Sequence, residues 1–336
     1  IWKLIKLEKM IAEKTLNQTL HIAKSAKKDE FYTQLSDIES ELKHYEKHFK
    51  DKVVFCNCDD PRNSNFFNYF AYNFEKLGLK KLITTCYKNQ ETDLFADEAT
   101  EKAVFLEYYG DKNGNKIPDA EEIGIIPLKG DGDFRSKESI DLLKQADIVV
   151  TNPPFSLFRE YVDQLVKYDK KFLIIGNINA ITYKEIFKLI KENKAWLGIN
   201  MGRGISGFIV PDHYELYGTE TSIDSFGNRI ISPNNCLWLT NLDTFKRHED
   251  IVLTKKYYGN EIEYPYFDNY DAINVNKTQD IPMDFAGVMG VPITFLHKYN
   301  PEQFELIKFR KGNDEKDLSI NGKCPYFRIL IKNRRL

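Results

Sequence analysis

Asn152, Pro153, Pro154 and Phe155 follow directly on the apolar run Ile148-Val149-Val150-Thr151, and together they carry the groups needed to activate an amine. A short β-branched run reads as a buried parallel strand. The two prolines stop it, because neither can donate to a ladder. Asn152 is thereby held at the carboxyl end of a strand, where open α/β sheets place their ligand crevices. An amine conjugated to an aromatic ring is a poor nucleophile, since its lone pair is delocalised. Two acceptors on its N–H groups favour a pyramidal nitrogen and leave the lone pair free. The Asn152 side-chain oxygen and the Pro153 carbonyl supply those acceptors, and Phe155 offers a face on which a planar base stacks. Preorganised dipoles of this kind are the usual source of rate. The electrophile they imply is a sulfonium methyl attacked in line, with proximity supplying much of the acceleration. The plainer reading is a strand-to-helix turn that Asn caps and Pro-Pro stiffens. The position after a buried strand, midway along an α/β chain, favours the chemistry.

The elements around the motif alternate. Phe31, Leu35, Ile38, Leu42, Tyr45 and Phe49 recur every three or four residues, which predicts an amphipathic helix over 30–50. A strand at 52–58 follows, then a helix over 66–77 capped by Ser64 and closed by Gly78, then a strand at 81–87. This β-α-β spacing implies a right-handed parallel crossover. Residues 104–109 and 123–128 read as a hairpin-like excursion around an Asn-Gly turn. Helices at 136–145, 157–168 and 183–192 alternate with strands at 148–151, 171–176 and 195–199. The pattern is that of a doubly wound α/β sheet. Beyond about residue 211, Gly, Pro and Tyr punctuate short strand-like runs at 236–242, 291–296 and 327–331. A boundary near Lys246 gives an N-terminal helical region (1–50), a catalytic domain (51–245) and a smaller C-terminal region (246–336).

The 336 residues carry a formal net charge of −2, so any surface for nucleic acid must be local. The last stretch is its best candidate, with Lys308, Arg310, Lys311, Lys323, Arg328, Lys332, Arg334 and Arg335. The five cysteines are scattered and odd in number, which suits a reducing cytosol, and neither they nor the histidines complete a zinc set. No metal is expected. No apolar run approaches the ~20 residues of a membrane span, and residues 1–10 lack the small-residue cleavage site of a signal peptide. Asp111, Asn113, Asn115 and Glu122 imitate a calcium loop, but the glycine is misplaced and an Asn-Gly turn explains them. Gly202-Arg203-Gly204 imitates a phosphate cradle, but no clear helix follows it. Arg203 is left as a phosphate contact on the rim.

Asn-Pro-Pro-aromatic is the motif of amino-methyltransferases that use S-adenosylmethionine. Cys58-Asp59-Asp60-Pro61, Gly130-Asp131-Gly132-Asp133-Phe134, the stretch from Thr151 to Phe158, and Pro282-Met283-Asp284-Phe285 together resemble the EcoRI-type adenine-specific DNA methyltransferases. The resemblance runs from about Lys28 to Lys332. It implies a Rossmann-like sheet with helices on both faces, N6-adenine methylation in double-stranded DNA, and a C-terminal target-recognition region. It also implies a cofactor site. Tyr32 and Thr33 stand where the family has an element before the first strand, and Asp59, Asp60, Pro61 and Ser64 form the loop after that strand. Asp131 and Asp133 bracket a glycine, with Asp133 placed to accept from the cofactor's adenine amine and Phe134 to pack on its ring. The loop lacks the usual glycines, having Arg62-Asn63-Ser64-Asn65 instead. The strand ending at Cys86-Tyr87-Lys88-Asn89 lacks the usual ribose-binding carboxylate.

In the C-terminal region, Asn274, Asn276 and Lys277 belong to a Tyr-, Asn- and Lys-rich stretch able to read base edges and hold phosphates. The reading is therefore a cytoplasmic, monomeric DNA adenine methyltransferase that uses S-adenosylmethionine and flips its target base. A separate cognate restriction endonuclease is a further partner such a reading admits. Two rivals stay open at this point. One is an RNA guanine-N2 or protein glutamine methyltransferase with the same motif, and the other is a non-catalytic nucleic-acid-binding protein on the same scaffold.

Overall fold

A computed structural model of the chain describes residues 32–58, 64–86, 103–114, 118, 123–201, 205–210, 221–225, 227–232 and 235–336. The chain runs through β1 (Tyr32–Thr33), α1 (Leu35–Leu42), β2 (Val53–Asn57), α2 (Asn65–Tyr72), α3 (Phe74–Leu77) and β3 (Lys81–Thr85). The excursion follows as β4 (Val104–Tyr108) and β5 (Gly124–Pro127), and then α4 (Lys137–Gln145), β6 (Ile148–Thr151), α5 (Phe158–Lys167), β7 (Lys171–Asn177), α6 (Lys184–Lys191) and β8 (Trp196–Met201). Next come β9 (Phe208–Val210), β10 (Thr221–Ile223), β11 (Arg229–Ile231) and β12 (Cys236–Thr240). The C-terminal region contains β13 (Tyr266–Phe267), β14 (Tyr270–Asn274), β15 (Val288–Pro292), β16 (Phe304–Phe309) and β17 (Arg328–Asn333).

An eight-stranded sheet in the order β5-β4-β3-β2-β6-β7-β12-β8 forms the centre. Its middle strands, β3, β2, β6 and β7, are parallel. From β2 the chain steps outward to β3, and from β6 it steps outward the other way to β7. The order therefore reverses between β2 and β6, which is where open α/β sheets leave a crevice at their carboxyl ends. Both faces are covered, as side-chain alternation along the strands requires. Val53, Phe55, Val149 and Phe172 join a core with Leu143 of α4, Tyr161 and Leu165 of α5, and Ile186 of α6. Val54, Cys56, Ile148, Val150 and Leu173 join a second core with Ile38 and Leu42 of α1 and Phe66 and Phe70 of α2. The mixed α/β architecture matches the alternation read from the sequence, and β4 and β5 pair as the expected antiparallel excursion. The antiparallel insertion of β12 between β7 and β8 has no counterpart in the residue pattern.

Three element boundaries differ. The helix expected over 30–50 ends at Leu42, but a 3-10 turn at Glu46–His48 continues the stripe, so Tyr45 and Phe49 still reach the core. The helix expected over 66–77 breaks at Asn73, whose side chain donates to the Tyr69 carbonyl at 2.8 Å. The strand expected at 291–296 is shifted to β15. Pro292 closes it, and Phe295 and Leu296 are buried from a 3-10 turn, Ile293–Lys298, rather than from a ladder.

Buried carboxylates fasten α1 to the far end of the sheet. Glu41 accepts from the Ile199 and Asn200 amides, each at 2.8 Å, and from the Tyr45 hydroxyl. Asp37 accepts from the amide and hydroxyl of Ser206. Burial pushes both carboxyls above their ordinary pKa, and the donors oppose it. Gly198 makes the approach possible, because a Cβ there would lie 2.4 Å from Glu41 Oε1 and 2.5 Å from Trp238 Cβ.

The C-terminal strands form a second sheet, β13-β14-β15-β17-β16, whose β16 packs on α6 through Phe187 and Phe309, with ring centroids 5.2 Å apart. No helix among the described residues is long and apolar enough to cross a membrane.

Where the two sheets meet, Lys246 Nζ donates to the Ile199 carbonyl and lies 3.0 Å from His297 Nε2. An ammonium only donates, so the ring nitrogen facing it must accept, and the contact holds a neutral imidazole. Burial, aided by Lys246, pushes His297 down from 6.5 to about 4. Because the folded pKa lies below the unfolded one, the unfolded chain takes up the proton first. The contribution is complete above pH 6.5 and is lost as pH falls toward 4. Calorimetric melting of His297→Gln should show a shallower fall of Tm across that window than the parent chain. An equally steep fall would remove His297 from the account.

Candidate active site

β6 carries the motif into the crevice. All four of its residues are buried, and it pairs on both edges, with β2 through Val54 and Phe55 and with β7 along its length. After Thr151 the backbone leaves the sheet through Asn152 and Pro153, both buried. A 3-10 turn, Phe155–Leu157, is tied by the Leu157 amide to the Pro154 carbonyl at 3.0 Å. α5 starts at once. Asn152 is 9% exposed and Phe155 half-buried, so the amide and the ring stand at the edge of the crevice rather than in solvent.

Phe155 meets Phe208 of β9 edge-on, with centroids 6.2 Å apart and planes at 71°. Phe208 is opposite Thr33 in the β1–β9 pairing. A small antiparallel sheet, β1-β9-β11-β10, thus brings Thr33 to the same side as the motif. The Thr33 carbonyl accepts from Asn65 Nδ2 at 2.8 Å, which joins this sheet to the start of α2. Ser64 caps that helix and accepts from the Phe66 and Phe67 amides. Thr33 Oγ1 is buried with no hydrogen-bond partner among the described residues. Asp59, Asp60 and Pro61 lie outside the described residues, as does Arg203.

The Asp131–Phe134 segment lies on the other face of the sheet, where Phe134 joins the core of α4 and α5. Asp131 accepts from the Asp133 amide at 3.1 Å, around Gly132 with φ +78°. Asp133 grips Arg135 with both carboxylate oxygens, at 2.9 and 2.7 Å, and Glu160 holds the same guanidinium. These contacts, with Asp133 the larger cause, push the arginine further above its ordinary pKa. Phe134 is buried, and its ring meets Tyr161 edge-on at 5.1 Å. Its carbonyl accepts from Gln164 Nε2 at 3.0 Å.

Residue-by-residue reading missed the groups that join these segments. Asn57, at the end of β2, accepts from the Thr151 hydroxyl with its backbone carbonyl and from the Tyr161 hydroxyl with its side chain. A polar residue closing the apolar run Val53–Cys56 was the available signal. Tyr161 and Gln164 simply look like part of a helix stripe.

The C-terminal candidates separate. Asn276 and Lys277 are exposed. Asn274 is 3% exposed, and its amide is committed to Asn276 and to Arg328 Nε, so it supports the sheet and does not present a base-reading edge. Four of the eight basic residues named in the tail are paired with carboxylates. Arg310 and Lys311 pair with Asp317, Lys308 with Glu315, and Arg335 with Asp250.

An Asn-Pro-Pro-Phe turn at the reversal point of a mixed α/β sheet defines the class, an amine methyltransferase. The chain belongs to the family described as adenine-specific methyltransferase EcoRI, whose model matches residues 19–334. It is 70% identical over 326 residues to the type II methyltransferase M.EcoRI of Escherichia coli, covering 97% of this chain and 99% of that one. It is 41% identical to M.MgeORF184P of Mycoplasma genitalium, covering 94% of this chain and 98% of that one. Against M.MpnI of Mycoplasma pneumoniae the identity is 37%, covering 93% and 97%. No solved structure gives a significant match. Membership of an adenine-specific family sets aside the guanine, glutamine and non-catalytic readings.

The Ser64 cap is the described part of the loop after β2. Replacing Ser64 by Ala leaves two amides uncapped at a cost of about 1 kcal/mol, equivalent for a chain of this length to a Tm lower by roughly 1–2 °C. Ser64→Asp, which caps as well, should restore most of it. A Ser64→Ala melt equal to the parent's would show that the cap contributes nothing.

Proposed function

We propose that this adenine-specific methyltransferase is a type II DNA enzyme of a restriction–modification system, transferring a methyl group from S-adenosylmethionine to the N6 amine of a target adenine in double-stranded DNA. The carrying observation is the placement of Asn152 and Phe155 at the crevice edge, at the carboxyl end of a strand paired on both sides. Such a site is too recessed for a base inside a duplex. The target is therefore turned out of the stack, at a cost of a few kcal/mol offset by stacking and hydrogen bonds in the pocket. The Asn152 oxygen and the Pro153 carbonyl accept from the exocyclic amine, which keeps the nitrogen lone pair off the ring, and Phe155 stacks on the base. Phe208, edge-on to Phe155, limits the tilt of that ring.

The residues present suit the cofactor. The buried Thr33 hydroxyl lacks a partner among the described residues, and burying such a group unpaired costs ~1–3 kcal/mol. Tyr32 and Thr33 would hold one side of the cofactor, the loop of Asp59, Asp60, Pro61 and Ser64 the methionine side, and Asp131, Asp133 and Phe134 the adenine. When bound, S-adenosylmethionine supplies an electrophilic methyl carbon on sulfur. The sheet order, with an antiparallel strand between the last two, and helices on both faces, supports a Rossmann-like methyltransferase fold. The C-terminal region from about Lys246 serves as the target-recognition part, with Asn276 and Lys277 directed to DNA and Arg203 to a phosphate.

Asn152→Ala should keep its fold and lose methyl transfer to DNA by about 100-fold or more, since it removes one preorganised acceptor. Tritiated-methyl transfer to duplex DNA, ribosomal RNA and protein, run side by side, reads both parts. Wild-type rates in the variant would dismiss the amide's role. Transfer to RNA or protein in preference to DNA would dismiss the substrate.

A further inference from the structure

Nothing in the chemistry of amine methylation calls for a buried tyrosine hydroxyl on the helix behind the motif, yet Tyr161 is 0% exposed and fully engaged. Its hydroxyl donates to Asn57 Oδ1 at the end of β2. Its ring packs edge-on against Phe134, at 74° and 5.1 Å. One turn further along α5, Gln164 Nε2 donates to the Phe134 carbonyl. The Asn57 backbone carbonyl in turn accepts from the hydroxyl of Thr151, the residue before Asn152. The contacts close a ring: from Asn152 through Thr151 to Asn57, across to Tyr161, and back along α5 to Phe155. Phenylalanine at 161 would fill the same core space. The hydroxyl adds a fixed orientation for the Asn57 amide at the end of β2.

We propose that Tyr161 is a positioning residue that sets the cofactor-side wall, formed by Asn57 and Phe134, relative to the target-base motif. The inference rests on the cofactor reading above. A buried hydroxyl that donates to one of two carboxyl-terminal strand ends, and a ring that backs the facing wall, act on the cofactor before any base arrives. Their loss therefore falls on cofactor affinity. DNA affinity and turnover at saturating cofactor, which depend on Asn152, Pro153 and Phe155, are left nearly intact.

Tyr161→Phe removes the hydroxyl and keeps the ring. Titration calorimetry of the full chain with S-adenosylmethionine should show binding weakened by about 5–30-fold, the scale of one buried hydrogen bond. Affinity for duplex DNA by fluorescence anisotropy, and kcat at saturating cofactor, should stay within about threefold. Asn57→Ala combined with Tyr161→Phe should be no weaker than Asn57→Ala alone, because both break one contact. Binding by Tyr161→Phe within about twofold of wild type overturns the inference, as does an additive double variant or a parallel loss of DNA affinity. If Tyr161→Phe melts below assay temperature, Gln164→Met, which removes only the donor to Phe134, replaces it: weakened cofactor binding alone supports the inference, and unchanged binding overturns it. Wild-type protein that takes up no S-adenosylmethionine overturns the cofactor reading itself. Failure of the inference alone is read only against a wild type that binds.

Discussion

β6 has neither a free edge nor a free face, and the rest of the site depends on that confinement. Its backbone is paired to β2 on one side and β7 on the other. Val149 points into one core while Ile148 and Val150 point into the other. A slip of one residue would move Asn152 by about 3.3 Å and exchange the two cores' side chains. Buried amides would also lose their partners. The strand therefore has one register, and the motif at its end has one position.

A strand confined in this way must also be made to stop, and the two prolines do so within two residues. Pro153 and Pro154 cannot extend the ladder, and a helix cannot begin before them. The turn at Phe155–Leu157 and the immediate start of α5 follow. Phe158, the first residue of α5, is buried against β7, where a Cβ on Gly176 would stand 2.5 Å from its ring. The helix is thus seated by the same two strands that seat the motif. On the other face, α1 holds Ile199 and Asn200 through Glu41 and Ser206 through Asp37, and Ser206 stands two residues before Phe208. The turn at Phe155 and the Phe208 ring that meets it are consequently held by elements on opposite faces of one sheet.

The alternation of elements and the motif strand are legible in the sequence because each rests on local pattern, with apolar period and turn residues agreeing. The strand end at which Asn152 and Phe155 stand is legible for the same reason, because the prolines fix it. What is not legible is non-local. Nothing in Phe208 or Thr33 announces that β9 pairs with β1 across more than 170 residues, and nothing in Cys236–Thr240 announces that it enters between two strands already laid down. That Asn274 is buried against Arg328 is not legible either, because amide chemistry is the same whether it faces a base or a buried arginine. Among the eight C-terminal basic residues the outcome is mixed for a related reason: counting charges does not count the Asp317, Glu315 and Asp250 that pair with Lys308, Arg310, Lys311 and Arg335.

The polar groups at the end of the sheet are better understood as a network than as separate residues. An apolar core would be the cheaper solution at Asn57, Thr151 and Tyr161, since a partly satisfied polar cluster is worse than none. Its retention at this point and not elsewhere along β2 and β6 has a geometric reason. Hydrophobic contacts are non-directional and tolerate small rotations, whereas hydrogen bonds weaken steeply with angle. Two neighbouring strand ends, Asn57 of β2 and Thr151 of β6, therefore gain a fixed relative orientation from directional bonds at the place where both leave the sheet. The Thr151–Asn57–Tyr161 chain occupies that place, and it ties the ends of β2 and β6 to α5.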